Sequence, residues 1–170
     1  DIEGITFKTV SSDGDAELGG KEWDDRLVNH VAMEFSTEFG VDPRDEPQAF
    51  QELYERCLAA KISLSTKPRA AIPVHHQGNR KVVTVTREEF EGMTKDLVAQ
   101  CAETVCLLVA RSGLSWTQID EVLLVGGSTR MPMIQDMVRE LAAHAEFPPV
   151  NPDECVAVGS ALAGVLRHQP

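Results

Sequence analysis

The sequence predicts an α/β fold, and three observations carry that prediction. The apolar run Val122 to Val125 leads straight into Gly126-Gly127 and then into a helix with a periodic apolar face. Several other stretches repeat apolar residues at helical spacing, between short β-branched runs bounded by turn residues. The composition, 42% hydrophobic and 25% charged over 170 residues, is that of a soluble globular chain large enough for one core or two small ones.

The elements follow in order. Ile5 to Ser11 reads as a lone strand with no hairpin partner before it, so the remaining strands of its sheet are expected upstream of residue 1; two strands alone are marginal. Lys21 to Phe39 is predicted helical, with Trp23, Leu27, Val31 and Phe35 on one ridge. Asp42 to Pro47 is a loop, and Gln48 to Ser65 a second helix with Phe50, Leu53, Tyr54, Cys57 and Leu64 on its apolar stripe and Lys61 inside that stripe. Ala70 to His76 and Lys81 to Val85 flank the turn Gln77-Gly78-Asn79 as a hairpin, with Pro73 assigning the first strand to an edge. Thr86-Arg-Glu-Glu89 is a capping box opening one long helix to about Arg111, buried along Phe90, Met93, Leu97, Cys101, Val105 and Leu108 and stopped by Gly113. Val122 to Val125 is expected to be a central strand covered on both faces. After it, Pro132 suits a first helical turn, and Ile134, Met137, Val138 and Leu141 face inward. The last helix begins at Asn151-Pro-Asp-Glu154.

Charge and cysteines exclude several classes. The net charge of -11 and the lack of a basic stripe argue against nucleic acid or an anionic membrane as partner. No apolar run approaches the ~20 residues that span a bilayer. Cys57, Cys101, Cys106 and Cys155 include no CxxC pair and read as buried thiols, which fits a reducing, cytoplasmic setting.

The chemistry-bearing stretch is Glu121-Val-Leu-Leu-Val-Gly-Gly-Ser-Thr-Arg130. Gly126 and Gly127 let a ligand approach the main chain, Ser128 and Thr129 supply hydroxyls, and Arg130 a planar cation at a helix N-terminus. Strand-Gly-Gly-helix junctions also serve as plain tight turns, and the chain has neither a Walker A loop nor a GxGxxG fingerprint.

Four motifs decide between these readings. Leu18-Gly-Gly-Lys-Glu-Trp-Asp-Asp-Arg-Leu-Val-Asn-His30, Ala60-Lys-Ile-Ser-Leu-Ser65, Val122-Leu-Leu-Val-Gly-Gly-Ser-Thr-Arg-Met-Pro132 and Asn151-Pro-Asp-Glu154 resemble, in order, the signatures of the seventy-kilodalton heat-shock chaperones, the DnaK-like family. The resemblance covers nearly the whole chain. It implies the C-terminal lobe of an actin-like ATPase domain, with an incomplete core sheet and flanking helices at 1–19 and 97–170 and an inserted outer subdomain of helices and a β-hairpin at 20–96. It further implies an ATP or ADP site to which Gly20 contributes backbone near the phosphates, Lys61 and Ser65 contacts to ribose and adenine, Gly126, Gly127, Ser128 and Arg130 the other wall, and Asp153 the far edge. Lys61 and Ser65 are four apart and share a helix face. By itself Lys61 would read as a snorkelling stem, a reading the motif context reverses; for Asp153, a first-turn carboxylate favoured by the helix dipole stands equally. The family commonly places a ribose-binding glutamate where this chain has Leu58, which leaves the subfamily open and implies weaker nucleotide binding.

The same resemblance implies a molecular chaperone of protein folding and the stress response that couples ATP hydrolysis to a peptide-binding domain. Its expected partners are a GrpE-type exchange factor on the outer subdomain, and a J-domain co-chaperone and unfolded polypeptide through the parent protein. Magnesium and the catalytic groups belong to the opposite lobe, so no turnover is expected of this chain alone. Two alternatives stay open: a chaperone-related actin-like ATPase with a specialised client, and an interaction module that has lost nucleotide binding. Elsewhere, adjacent His75 and His76 should face opposite sides of their strand and not share a metal, His30 has no acid partner legible in the sequence, and the acidic patches at Asp13, Asp15, Glu17 and Asp42 to Glu46 read as solvated loops.

Overall fold

The computed structural model describes residues 2–3 and 6–167. In chain order its elements are β1 (Ile2–Glu3), β2 (Thr6–Phe7), α1 (Gly20–Phe39), α2 (Pro47–Leu64), β3 (Arg69–His76), β4 (Asn79–Thr86), α3 (Arg87–Met93), α4 (Lys95–Arg111), α5 (Pro132–Leu141) and α6 (Cys155–Arg167). Single 3-10 turns lie at Pro43–Asp45, Trp116–Gln118 and Gly127–Arg130. The fold is mixed α/β, and among the described residues the strands form two two-stranded sheets, β1-β2 and β3-β4. Ala16–Gln100 makes one compact unit, and Asp1–Asp15 with Cys101–Pro170 makes another.

In the first unit the predicted ridge of α1 is the centre of the core: Trp23, Leu27, Val31 and Phe35 are all at most 2% exposed. Leu53, Cys57, Ala60 and Leu64 of α2 are buried as well. Burying each such large side chain contributes about 1.5–3 kcal/mol relative to leaving it in water. The hairpin adds the alternate residues Ala70, Ile72, Val74, His76, Val83 and Val85, while its other face is exposed. Its turn is tighter than the sequence implies. His76 pairs with Asn79, leaving only Gln77 and Gly78 between the strands, both at positive φ (48° and 79°) as a type I′ turn requires. Helix α1 stops at Gly40, whose φ of 71° is the left-handed cap that glycine permits, with its N–H donating to Ser36 O at 2.8 Å.

The capping box forms as predicted: Glu89 N–H donates to Thr86 Oγ1 at 3.1 Å, and Thr86 N–H to Glu89 Oε2 at 2.8 Å. The single long helix it was expected to open is instead two, α3 and α4, parted at Thr94. Gly92 is a weak helix former, and the buried Thr94 hydroxyl donates back to Phe90 O at 2.8 Å, a bond that bends helices. Thr94 O then accepts from Leu97 and Val98 and starts α4. Of the expected buried face, Phe90 and Leu97 are buried and Met93, Cys101, Val105 and Leu108 are half-buried.

Two strand expectations are corrected in the second unit. In the Ile5 to Ser11 segment, Ile5 lies outside the described residues, only Thr6–Phe7 is strand, and it does have a preceding partner, Ile2–Glu3, in antiparallel register. Val122 to Val125 is not a buried central strand. Leu123 and Val125 are 56% and 43% exposed, and the only pairing here among the described residues is one parallel bridge, Glu121 to Glu146, with Val122 N–H donating to Glu146 O at 2.9 Å. A β-branched run becomes a strand only with ladder partners, and one bridge is not a ladder. Helix α5 begins with Pro132; of its predicted inward face Ile134 and Val138 are buried and Met137 and Leu141 half-buried. Gly113, at φ 75°, ends α4.

Candidate functional site

The first cluster of expected site residues lies at the meeting of α1 and α2. Lys61 sits in the apolar stripe of α2, so its ammonium needs a counter-charge within reach. It finds one in Asp24: Nζ is 2.8 Å from Oδ1, the two side chains being 11% and 6% exposed. Lys61 also donates to Gly20 O at 3.0 Å, which brings two of the predicted site residues together. Ser65 caps the C-terminal end of α2 one turn beyond Lys61 and is half-buried, its N–H donating to Ile62 O at 3.2 Å. Leu58 and Ile62, one turn apart on the same helix, are large apolar groups left exposed. Around the pair, burial and then the negative charges of Asp24 and Asp25 hold the Tyr54 hydroxyl above its ordinary range. Burial, reinforced by Asp24, pushes the Cys57 thiol up to about 12.

The second cluster belongs to the other unit. Gly126 has φ 91° and ψ 155°, a conformation open to glycine alone, and its N–H donates to Pro152 O at 2.9 Å. Gly127 to Arg130 then turn as one 3-10 segment. Thr129 Oγ1 donates to Gly126 O at 2.7 Å, Gln135 Nε2 donates to Thr129 O at 3.0 Å, and Ser128 O accepts from Met131 N–H at 3.2 Å. A Cβ at Gly127 would meet nothing within 4 Å. Arg130 and Asp153, 23 residues apart, pair at 2.5 Å, both more than half exposed. Asp153 precedes the first residue of α6 by two and donates its N–H to Asn151 Oδ1 at 3.1 Å, while its carboxylate accepts from Arg130.

Sequence reasoning named Lys61 and missed Asp24. The signal was present: Asp24 lies on the same stripe as the buried Val28, Val31 and Phe35, and a carboxylate inside one apolar stripe calls for the lysine inside the next. Among the other titratable groups, His30 Nε2 does have an acid neighbour, Glu34 Oε1 at 3.5 Å one turn on. His75 and His76 face opposite sides, the first exposed and the second buried with Nδ1 3.5 Å from Glu46 Oε2. Acidic loop residues are paired rather than simply solvated, among them Asp13 with Arg111, Asp42 with Arg44 and Glu46 with His76. Among the described residues no group of three or more His, Cys, Asp or Glu is placed to hold a metal ion, and no helix is long and apolar enough to cross a membrane.

The family model described as Hsp70 protein matches residues 1–169. The chain belongs to the Hsp70 family. Hsp70 proteins are ATP-dependent chaperones that bind ATP and ADP with magnesium and act on unfolded polypeptides with co-chaperones. In this Hsp70 chain Gly20, Asp24, Lys61 and Ser65 of the first cluster and Gly126 to Arg130 and Asp153 of the second fall inside the four motifs.

Proposed function

We propose that this chain supplies the second lobe of an actin-like nucleotide-binding domain, with half of the adenosine slot and an outer subdomain, residues 20–96, on which a GrpE-type exchange factor docks. The core subdomain in this reading is 1–19 with 97–170. Gly20, Lys61 and Ser65 contact one side of the nucleotide, and Gly126, Gly127, Ser128, Arg130 and Asp153 the other. The observation that carries the reading is Lys61: a lysine drawn into an apolar stripe, held at Gly20 O and Asp24, with Ser65 one turn away. The open space beside Gly127, where neither φ nor packing demands glycine, supports the second wall.

ATP or ADP bound between the lobes would let the full-length protein couple hydrolysis to its client. This chain's own residues bind and orient. Lys61 and Ser65 present N–H and O–H donors from one helix face, and the Gly126-Gly127 turn keeps the backbone low enough for the base to approach. Magnesium and the groups that orient the attacking water are assigned to the opposite lobe, so this chain alone is proposed not to turn ATP over. A J-domain co-chaperone and unfolded polypeptide act on the whole protein, in the cytoplasm.

Calorimetric titration of ADP and ATP into the full-length protein, beside a Leu58→Glu variant, tests the reading. Leu58 is exposed three residues before Lys61, so a carboxylate there gains a charge-assisted bond to a ribose hydroxyl of about 1.5–3 kcal/mol, roughly ten- to a hundredfold in affinity. Micromolar or tighter binding that the variant strengthens supports a nucleotide clamp. No binding by either form leaves the interaction-module reading in its place.

A further inference from the structure

We propose that Asp24 is a positioning residue for nucleotide, acting through Lys61; this rests on the reading of Lys61 as a nucleotide contact. Three observations lead to it. Asp24 is 4% exposed in a stripe otherwise apolar, and its Oδ1 lies 2.8 Å from Lys61 Nζ. That oxygen is nonetheless buried without a well-aligned hydrogen bond, so the attraction is one of charge and not of direction. Lys61 meanwhile spends one N–H on Gly20 O at 3.0 Å. An ammonium has three N–H groups and no acceptor. Lys61 is therefore anchored by Coulomb attraction below and by one backbone carbonyl beside it, with donor capacity left over at the 11% of its side chain that reaches the surface.

The chemical consequence concerns what kind of contact Lys61 makes. Paired with Asp24 the site is net neutral, so Lys61 serves a nucleotide as a fixed donor to an uncharged acceptor, such as a ribose hydroxyl oxygen, and not as counter-charge to the phosphates. Remove the carboxylate charge and the buried ammonium is uncompensated. Its stem is long enough to swing toward water, where it becomes an ordinary cation for a polyanionic ligand, screened by salt.

The test is ADP titration by calorimetry into the full-length protein, at low and at high salt, for wild type, Asp24→Asn, Lys61→Met and the double variant, with a cooperative unfolding curve for each. Each single substitution is expected to weaken ADP binding about tenfold or more, the scale of one lost charge-assisted bond. The double variant should be no weaker than Lys61→Met, and Asp24→Asn alone should show binding more salt-sensitive than wild type. A residue that merely props up the fold would lower stability without moving the salt dependence. Where Asp24→Asn does not fold, Asp24→Glu takes its place: it keeps the charge but displaces the ammonium, so affinity falls with the unfolding midpoint retained, and the fall is absent when Lys61 is already Met. Wild-type affinity in the Asp24 variants, or losses that add in the double variant, overturn the proposal and leave Lys61 as a nucleotide contact. Wild-type affinity in Lys61→Met overturns the reading of Lys61 itself, and the proposal with it.

Discussion

Arg87 should hold the C-terminal end of α2 in place, and with it Ser65. An α-helix leaves its last carbonyls without intrahelical donors, and those of α2 must be satisfied at the edge of a packed core. Arg87, first residue of α3, does this from outside for the last of them: Nε donates to Leu64 O at 2.7 Å, and a terminal nitrogen donates to Lys67 O, three residues beyond the helix, at 3.1 Å. The sheltered bond to Leu64 O is worth about 1.5–3 kcal/mol, as a bond from a charged group. The exposed one to Lys67 O contributes less than ~1 kcal/mol, and the cation at a helix C-terminus adds about 0.3–1 kcal/mol. Arg87→Met, which keeps the apolar stem, should thus cost about 2–4 kcal/mol. With a urea slope of about 2 kcal/mol per molar, the midpoint falls by roughly 1–2 M. The assay is urea unfolding followed by Trp23, which is 2% exposed in the same unit, in a Trp116→Phe background. Hydrogen exchange across residues 60–68 should rise in parallel, and Arg87→Lys, with no fork, should fall between. A loss under ~0.5 kcal/mol with exchange unchanged would refute the argument, because the two carbonyls would then be as well served by water.

Other expectations follow from the same geometry. Asp42 is held below its ordinary value of 3.8 chiefly by the side-chain hydrogen bonds from Arg44, so its contribution is complete above that ordinary value and is lost as pH falls through the lower folded value. Asp42→Asn should therefore cost roughly 1 kcal/mol at neutral pH, a difference that closes in acid; a gap independent of pH would show that the charge is not what matters. Cys57, with its thiol pushed up to about 12 by burial, should resist alkylation at mildly alkaline pH in the folded protein while Cys106 and Cys155, half-exposed, react first. Mass spectrometry of the labelled peptides reads this directly, and early labelling of Cys57 would mean that α2 opens far more often than its packing allows.

What was legible in the sequence was what local physics decides. The α1 ridge recurs every fourth residue over a long helix, the hairpin alternates with period two around a glycine, and Thr86 with Glu89 is a self-contained cap, so each could be read without knowing what lies opposite. Illegible were the features decided by partners distant in sequence. Val122 to Val125 has the composition of a central strand, yet with one bridge at Glu121 the segment forms no ladder and stays half-exposed. Arg130 with Asp153 is a pair 23 residues apart, invisible to any window of helical or strand length, and Lys61 with Asp24, 37 apart, left a trace only in the two charges that stand inside apolar stripes. The break at Thr94 was closer to hand, since Gly92 and a back-bonding threonine stand within three residues, but the strong periodicity on either side concealed it.

The two glycines of the Gly-Gly turn separate folding from function. Gly126 is fixed by its backbone: at φ 91° any side chain is strained, so Gly126→Ala would disturb the turn and report on nothing else. Gly127 is different. Its φ is not in the left-handed region, and an added Cβ meets no protein atom within 4 Å, so the fold tolerates alanine there at a cost within about 0.5 kcal/mol. If the backbone at Gly127 is a surface on which an adenosine lies, that same methyl intrudes on the ligand. Gly127→Ala in the full-length protein should then keep its unfolding midpoint while ADP affinity falls at least about tenfold, as expected for a contact surface pushed outward by one methyl group. Unchanged affinity would mean that the ligand does not approach this turn, and the second wall of the slot would have to be sought elsewhere in the unit.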